Sequence, residues 1–155
     1  MRNDPLIIGI ANDHAGIEFK HKIKQQLLDI KLKDDNDISI VDFGGDDFGK
    51  KYNYSEKAHE LCASMETKKI NLGILICGTG IGMCMAANRH TNIRAALCHT
   101  PYTAMMARKH NDANVLCLGA RVLGEYQISG ILETFLFMPF DGGRHKERVK
   151  SIEIL

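Results

Sequence analysis

Short apolar runs alternate with helical segments along most of this chain, and that alternation limits its fold more than any other feature. The runs that predict strands are residues 6–11, 38–43, 72–77, 93–98 and 115–118. Each run is short and is followed by a polar residue or a glycine, which is typical of a strand buried on both faces. Strands that alternate with helices indicate βαβ units and therefore a parallel sheet.

The segments between these runs have the apolar spacing of helices. Helices are predicted over residues 16–28, 54–69, 81–88, 101–110 and 125–137, a final amphipathic segment over 143–155, and a charged loop over 31–37. A parallel sheet needs helices on both faces, joined by right-handed crossovers. The expected fold is an α/β protein: a three-layer α/β/α sandwich around a five-stranded parallel sheet, with an extra C-terminal helix. The length predicts a single domain over residues 1–155.

Composition narrows the possible partners and the compartment. The formal net charge of +1 gives no reason to expect nucleic acid or an anionic membrane as a partner. No apolar run approaches the roughly 20 residues that a membrane helix needs, and the N-terminus lacks the pattern of a signal peptide. Five cysteines without a C-x-x-C pair argue against a disulfide framework or a zinc ribbon. A cytoplasmic protein is expected.

Polar residues and glycines follow every predicted strand, at the position where parallel sheets bind ligands. Ligands of such sheets lie outside the carboxyl ends of the strands. The residues that follow the five strands, in order, are Asp13-His14, Gly44-Gly45, Gly78-Thr79-Gly80 after Cys77, His99, and Gly119-Ala120-Arg121. The sequence therefore predicts that these groups converge at one edge of the sheet.

The stretch G-I-L-I-C-G-T-G-I-G at residues 73–82 places a thiol, Cys77, directly before a glycine-rich loop. A dinucleotide-binding fingerprint needs glycine where this chain has Met83. A Walker A loop needs Gly-Lys-Ser or Gly-Lys-Thr, which does not follow. A cysteine phosphatase loop needs an arginine six residues after the thiol, where Met83 again stands. None of these three classes of site fits the stretch.

The loop does supply a series of backbone N–H groups at a helix N-terminus, next to the Cys77 thiol. Such groups bind anions, and the same position favours the thiolate form of a neighbouring cysteine. A thiolate base beside an oxyanion hole suits proton abstraction next to a carbonyl, where an enediolate forms. The alternative is a buried cysteine before a glycine turn that serves packing only, and the local pattern leaves both open.

Four motifs together resemble one known family. They are A-N-D-H-A-G at residues 11–16, the stretch at 73–82, R-K-H-N-D-A-N-V-L at 108–116 and G-G-R-H-K-E-R-V at 142–149. In this order and spacing they resemble ribose-5-phosphate isomerase B, one of the sugar-phosphate isomerases that include galactose-6-phosphate isomerase. The resemblance covers nearly the whole chain. It implies a Rossmann-like sandwich and homodimers or tetramers whose active sites are built from two subunits.

The resemblance implies catalytic roles for three residues. Cys77 would be the general base that moves the proton between C1 and C2 of the open-chain sugar, Thr79 would assist that transfer, and His110 would open the furanose ring. Histidine titrates near neutral pH and can shuttle protons, although the helix dipole also favours a histidine at a helix C-terminus. Backbone N–H groups can stabilise an enediolate without a metal, so neither metal nor cofactor is expected.

The resemblance also implies a set of substrate-binding residues. The backbone anion hole of the family corresponds to Gly78, Gly80, Ile81 and Gly82. The residues that contact the sugar correspond to Asp13, Tyr54 and Asn111. The residues that bind the phosphate correspond to His14, Arg121, Arg144 and Arg148. Arg144 and Arg148 are four residues apart, hence on one helix face, and two guanidinium groups match a phosphate in charge and geometry. A solvated basic face is the alternative. The solvated face is disfavoured because Gly142-Gly143 comes directly before the arginines and because Arg121 ends a strand at the edge where the ligand is expected.

Two positions depart from the family pattern, and two histidines have no settled role. The chain reads Asn53-Tyr54-Ser55 where members often show Asp-Tyr-Pro. Asn12 stands where a smaller residue or a cysteine is usual. His145 is a candidate phosphate contact, and His99 is left unassigned.

The predicted function is an aldose–ketose isomerase that interconverts D-ribose 5-phosphate and D-ribulose 5-phosphate, in the non-oxidative branch of the pentose phosphate pathway. Two alternatives stay open. One is a hexose-6-phosphate isomerase acting on allose or galactose 6-phosphate, because the loops around Tyr54 limit the length of the sugar. The other is a non-catalytic module that binds a sugar phosphate or a nucleotide. Such a module needs the N–H groups but not the thiol, so Cys77, Thr79 and His110 together favour the enzyme.

Overall fold

The computed structural model describes residues 5–34 and 37–153, and five strands within them form one sheet. The strands are β1 (Leu6–Asn12), β2 (Ile38–Asp42), β3 (Leu72–Cys77), β4 (Ala95–Leu97) and β5 (Val115–Gly119), in the spatial order β2-β1-β3-β5-β4. Every neighbouring pair of strands is parallel. The predicted number of strands and the parallel sheet are confirmed.

Helices cover both faces of the sheet. Within the described residues they are α1 (Ile17–Asp34), α2 (Tyr54–Glu66), α3 (Ile81–Ala87), α4 (Pro101–Asn111), α5 (Glu125–Phe137) and α6 (His145–Lys150). Apolar residues of α1, α4 and α5 pack on one face, and those of α2 and α3 pack on the other. The three-layer sandwich is therefore confirmed. No helix of the described segments has both the length and the apolar content to cross a membrane.

Successive residues of the central strands point to opposite layers, as the two-residue period of a strand requires. In β3, Ile74 and Ile76 belong to the core beneath α1, α4 and α5. Leu75 and Cys77 belong to the core beneath α2 and α3. All six residues of β3 are buried, as expected for a central parallel strand. Cys77 therefore ends β3 on the side that α2 and α3 cover.

The prediction of a loop over residues 31–37 is wrong for its first part, because α1 continues to Asp34. Ile30 is buried like Leu27 and extends the apolar face of the helix by three residues. Lysine is also a good helix former, so the charged composition does not stop the helix. Residues 35–36 lie outside the described residues.

Two other helices end or begin at backbone conformations that the apolar pattern does not reveal. α2 ends at Glu66 rather than at residue 69, because Lys68 has a φ of 57°, which an α-helix cannot contain. α6 covers only His145–Lys150, since Gly142 and Gly143 have φ values of 64° and 50°. The end of that predicted segment, residues 154–155, lies outside the described residues.

Candidate active site

The chain changes direction across the sheet between β1 and β3, which are neighbours although β2 lies between them in sequence. In open α/β sheets, ligands bind at the carboxyl end of such a switch point. Asp13 follows β1 there, and Cys77 ends β3. The N–H of Asp13 donates to the carbonyl of Ile76 (3.0 Å), which holds the two strand ends together. Two of the sequence motifs therefore meet at this crevice.

The glycine loop after Cys77 brings a backbone N–H to the thiol. Gly80 is the N-cap of α3 and has a φ of 80°, a left-handed conformation that favours glycine. A Cβ at this position would lie 2.5 Å from Cδ1 of Leu97. The turn lets the N–H of Gly80 donate to Sγ of Cys77 (3.1 Å). The N–H of Ile81 donates to Oγ1 of Thr79 (3.3 Å).

Tyr54 and Arg121 flank this loop from two sides. The ring of Tyr54 lies against Gly82, where a Cβ would come within 2.7 Å of Cε2. The side chain of Arg121 lies against Gly78, and its backbone N–H donates to the Gly78 carbonyl (3.0 Å). The structure therefore brings a phenol and a guanidinium group to the N-terminus of α3. This agrees with the predicted convergence of polar groups at the carboxyl edge.

Asp13 also has a structural task, because its side chain caps the turn that begins α1. Its Oδ1 accepts the N–H groups of Ala15 (2.8 Å) and Gly16 (3.2 Å). The residue is buried, so the carboxylate has a fixed orientation at the crevice. His14 is exposed, and its Nδ1 lies 3.4 Å from the carbonyl of Tyr52. The structure thus places Asp13 and His14, the two predicted site residues of the A-N-D-H-A-G motif, at the carboxyl edge.

The two departures from the family pattern have local explanations. Oδ1 of Asn53 accepts the N–H of Ser55 (3.0 Å) and its Oγ (2.8 Å), so these residues start α2 at Tyr54 by an ordinary N-cap. Asn12 is fully buried, and its Nδ2 donates to the carbonyls of Asp13 (2.8 Å) and Gly45 (3.1 Å). Asn12 therefore ties the loop after β1 to the loop after β2.

A buried lysine strengthens the same link, and the sequence pattern did not identify it. Nζ of Lys20 on α1 is 2.7 Å from Oδ1 of Asp46 and 3.2 Å from Oδ2 of Asp42, and the lysine side chain is fully buried. Hydrogen bonds from Lys20 and His21 lower the pKa of Asp46 to about 2. A lysine on an amphipathic helix normally faces water. Here it fixes the segment that leads to Tyr54.

The other predicted site residues lie at the opposite, amino edge of the sheet. α4 starts after the carboxyl end of β4 and ends before the amino end of β5, and its 11 residues span about 16 Å. His110 and Asn111 are the last two residues of this helix. The N–H of Asp141 donates to the carbonyl of Lys109 (3.0 Å), which docks the segment before α6 at the same end.

Arg144 and Arg148 belong to this docked segment, as the N-cap and the fourth residue of α6. Within one chain they therefore do not join Arg121 at the carboxyl edge, and their assignment to the phosphate stays a prediction. The contact of Asp141 with the end of α4 decides where this segment lies. Their helical spacing on α6 is as expected.

His145 forms a contact with His110 that the sequence pattern did not reveal. The two rings are stacked, with centroids 4.3 Å apart and planes inclined by 7°. Burial lowers the pKa of His145, and the charges of His110, Arg144 and Arg148 lower it further. The amino edge thus combines a buried histidine with several cationic groups, an environment that stabilises an anion. His99 is exposed after β4, and its N–H donates to Oγ1 of Thr103 (3.2 Å).

The described residues at the two edges show no candidate metal site. Within residues 5–34 and 37–153, no three His, Cys, Asp or Glu side chains are grouped so that they could hold an ion. Pockets of about 340 and 490 Å³ lie at the amino edge, and Asn71 and Asn114 line both. Neither pocket includes Cys77 or His110.

One further thiol differs from the buried cysteines. Cys84 on α3 is half-buried, and a hydrogen bond from the Cys117 thiol is the main reason that its pKa is about 7. Hydrogen bonds from the N–H of Leu97 and from Asn88 lower it as well. Burial instead raises the pKa of Cys62 to about 12. Of these two thiols, Cys84 is therefore the one that can form a thiolate near neutral pH.

Comparison with known proteins finds similarity over almost the whole chain. The family described as Ribose/Galactose Isomerase matches residues 8–152. The chain is 41% identical over 145 residues to a probable ribose-5-phosphate isomerase B of Mycoplasma pneumoniae, with 94% of this chain and 91% of that protein covered. A ribose 5-phosphate isomerase structure from Thermotoga maritima superposes with a TM-score of 0.87 at 42% identity, covering 95% of this chain and 97% of that one. The type B ribose 5-phosphate isomerase of Trypanosoma brucei gives a TM-score of 0.89 at 36% identity, covering 96% and 97%.

Proposed function

Because the chain belongs to the ribose/galactose isomerase family, we propose that it interconverts D-ribose 5-phosphate and D-ribulose 5-phosphate. The observation that carries the proposal is the contact between the N–H of Gly80 and Sγ of Cys77 (3.1 Å), at the carboxyl end of β3. A sulfur held at the N-terminus of a helix is suited to act as a base beside an anion. The reaction needs such a base, since a proton bound to carbon must move.

In the proposed reaction, the thiolate of Cys77 takes the proton from C2 of the open-chain aldose. The electron pair moves into an enediolate, whose negative oxygen is stabilised by the N–H groups at the start of α3. The Cys77 thiol then returns the proton to C1, while a proton moves from O2 to O1 with help from the hydroxyl of Thr79. The product is the ketose, and no redox partner is consumed.

Ribose 5-phosphate is mainly a closed ring, so ring opening must come before proton transfer. We assign this step to His110, with Asn111, Asp13 and Tyr54 as contacts to the sugar. His14, Arg121, Arg144 and Arg148 are assigned to the phosphate. The stacking of His145 on His110 and its neighbouring arginines supports an anion at the amino edge.

These assignments require two chains. His110 ends a helix about 16 Å long that starts at the carboxyl edge, where Cys77 lies, and a five-carbon sugar phosphate is too short to bridge that distance. The proposed enzyme is therefore a homodimer, or a tetramer made of two such dimers, in which one site joins the carboxyl edge of one chain to the amino edge of its partner. A cytoplasmic location fits the five free thiols.

The decisive experiment replaces Cys77 and follows the conversion of ribose 5-phosphate to ribulose 5-phosphate. Loss of a general base lowers rates by about 10²–10⁴-fold, so Cys77→Ser and Cys77→Ala should fall by at least about a hundredfold in kcat. Cys84→Ser is the matched control and should stay close to wild type. An alkylating reagent would also modify Cys84, whose pKa is about 7. Substitution is therefore the more specific way to remove the Cys77 thiol.

A folded Cys77→Ala protein that keeps the full rate would overturn the proposed mechanism. Saturable binding of ribose 5-phosphate by the wild type without turnover would instead indicate the binding module. The same assay with allose 6-phosphate and galactose 6-phosphate measures whether a hexose is the better substrate.

A further inference from the structure

Asp112 follows His110 and Asn111 directly and ends α4 in a left-handed conformation, with φ of 47° and ψ of 42°. This conformation is uncommon for residues other than glycine, and aspartate adopts it more readily than most. The N–H of Asp112 donates to the carbonyl of Arg108 (3.2 Å), and the N–H of Ala113 donates to the carbonyl of Ala107 (3.0 Å). These bonds close the last turn of the helix, so the turn that carries His110 depends on the backbone of Asp112.

Arg94, just before β4, holds both the backbone and the side chain of Asp112. Its Nε donates to the Asp112 carbonyl (2.8 Å), and its Nη2 donates to Oδ2 (3.0 Å). A planar guanidinium group that makes both bonds fixes the orientation of the residue as well as its position. The backbone N–H of Arg94 is itself fixed by Oδ1 of Asn114 (2.8 Å). The sheet edge thus provides a rigid anchor for Asp112.

Arg108 holds the same carboxylate from the helix side. Its Nη1 lies 3.5 Å from Oδ1 of Asp112 and donates to the carbonyl of Ala113 (2.5 Å). Its Nε donates to the carbonyl of Met138 (3.3 Å), on the segment that leads to α6. Arg108 is almost fully buried, which strengthens these charged contacts because water screens them little. The carboxylate therefore stands between two cations that belong to different elements.

This arrangement connects Asp112 to His110 in two ways. First, the helix end that Asp112 closes carries His110 itself. Second, Arg108 donates to the carbonyl of Met138, which lies on the segment that leads to His145 at the start of α6. His145 in turn stacks on His110 with a centroid separation of 4.3 Å. Removal of the carboxylate would leave two arginines without their shared anion and would loosen the last turn of α4.

We propose that Asp112 is a positioning residue for ring opening: held between Arg94 and Arg108, its carboxylate fixes the last turn of α4 and with it the imidazole of His110. The inference rests on the proposed function, in which His110 opens the furanose ring. Asp112 itself takes no part in proton transfer at Cys77.

The test separates ring opening from proton transfer by the choice of substrate. Ribulose 5-phosphate has no free hydroxyl that can close a furanose ring, so exchange of its C1 hydrogen with solvent deuterium needs the Cys77 half of the reaction only. Asp112→Gly keeps the left-handed backbone but removes the carboxylate, and Asp112→Asn keeps the shape without the charge. For Asp112→Gly, kcat on ribose 5-phosphate should fall by about ten- to a hundredfold. Deuterium exchange into ribulose 5-phosphate should stay within about twofold, and Asp112→Asn should fall between Asp112→Gly and wild type.

Proton NMR of His110 tests the same inference without measuring turnover. The ring proton resonances of His110 carry the ring-current shift of the stacked His145 and should move in Asp112→Gly. An unchanged kcat on ribose 5-phosphate, unmoved resonances, or an equal fall of turnover and exchange would each overturn the inference. If His110→Ala itself lost no turnover, the assignment of His110 would fail instead, and the resonances of Asp112→Gly would still decide whether Asp112 positions the ring.

Discussion

The imidazole rings of His110 and His145 stack face to face, with their centroids 4.3 Å apart and their planes almost parallel. Two charged rings would repel each other at this distance. His145 is the ring kept neutral, because burial lowers its pKa and nearby positive charges lower it further. In the proposed reaction His110 opens the furanose ring, and a neutral His145 places no charge against the face of that ring.

The lowered pKa of His145 predicts a loss of stability in mild acid. Below the ordinary pKa of about 6.5 the unfolded chain binds a proton that the folded chain resists, so stability falls as the pH drops below that value. His145→Gln removes this contribution. Urea unfolding at pH 7.5 and 5.5 should therefore show a larger loss for the wild type than for His145→Gln. Equal losses would contradict the assignment of a neutral, buried His145.

The separation of Cys77 and His110 within one chain predicts complementation between inactive variants. Cys77→Ala and His110→Ala proteins should each have little activity alone. When they are unfolded together and refolded, about half of the dimers are mixed and one of the two sites in each is intact. About a quarter of the wild-type activity should return. Mixed dimers seen by native mass spectrometry without any recovered activity would contradict a shared site.

The contact between Gly82 and Tyr54 predicts a change in substrate binding without a loss of stability. A Cβ at Gly82 would lie 2.7 Å from Cε2 of Tyr54, and this half-exposed ring can move away. Alanine is also favoured over glycine within a helix by about 0.5–1 kcal/mol. Gly82→Ala should therefore match or exceed wild-type stability while KM for ribose 5-phosphate rises several-fold.

Gly130→Ala on α5 is the matched control for that substitution. Its Cβ would meet Cγ of Pro101 at 3.0 Å, and no contact of this position involves Tyr54. We expect altered stability and an unchanged KM. If Gly82→Ala also leaves KM unchanged, Tyr54 does not contact the substrate.

Much of the fold follows from local patterns. The strands β1, β3 and β5 are visible in sequence because each is an apolar run bounded by glycine or polar residues, and α5 is found at its predicted bounds. The ends of α1 and α2 are not visible, since they depend on the burial of Ile30 and on the left-handed backbone of Lys68. The burial of Lys20 and the stacking of His145 on His110 were missed for a related reason: a polar residue on a helix looks exposed until its neighbours are known.

The sequence by itself determined the layers of the sandwich, the thiol at the end of β3 and the glycines that turn backbone N–H groups towards it. Periodicity and turn chemistry act over a few residues, so they are readable locally. Only the tertiary structure decided that Cys77 and Tyr54 lie at one edge of the sheet while His110, Arg144 and Arg148 lie at the other. That division depends on the parallel direction of the strands and on the docking of α6 against the end of α4, which are contacts between segments distant in sequence.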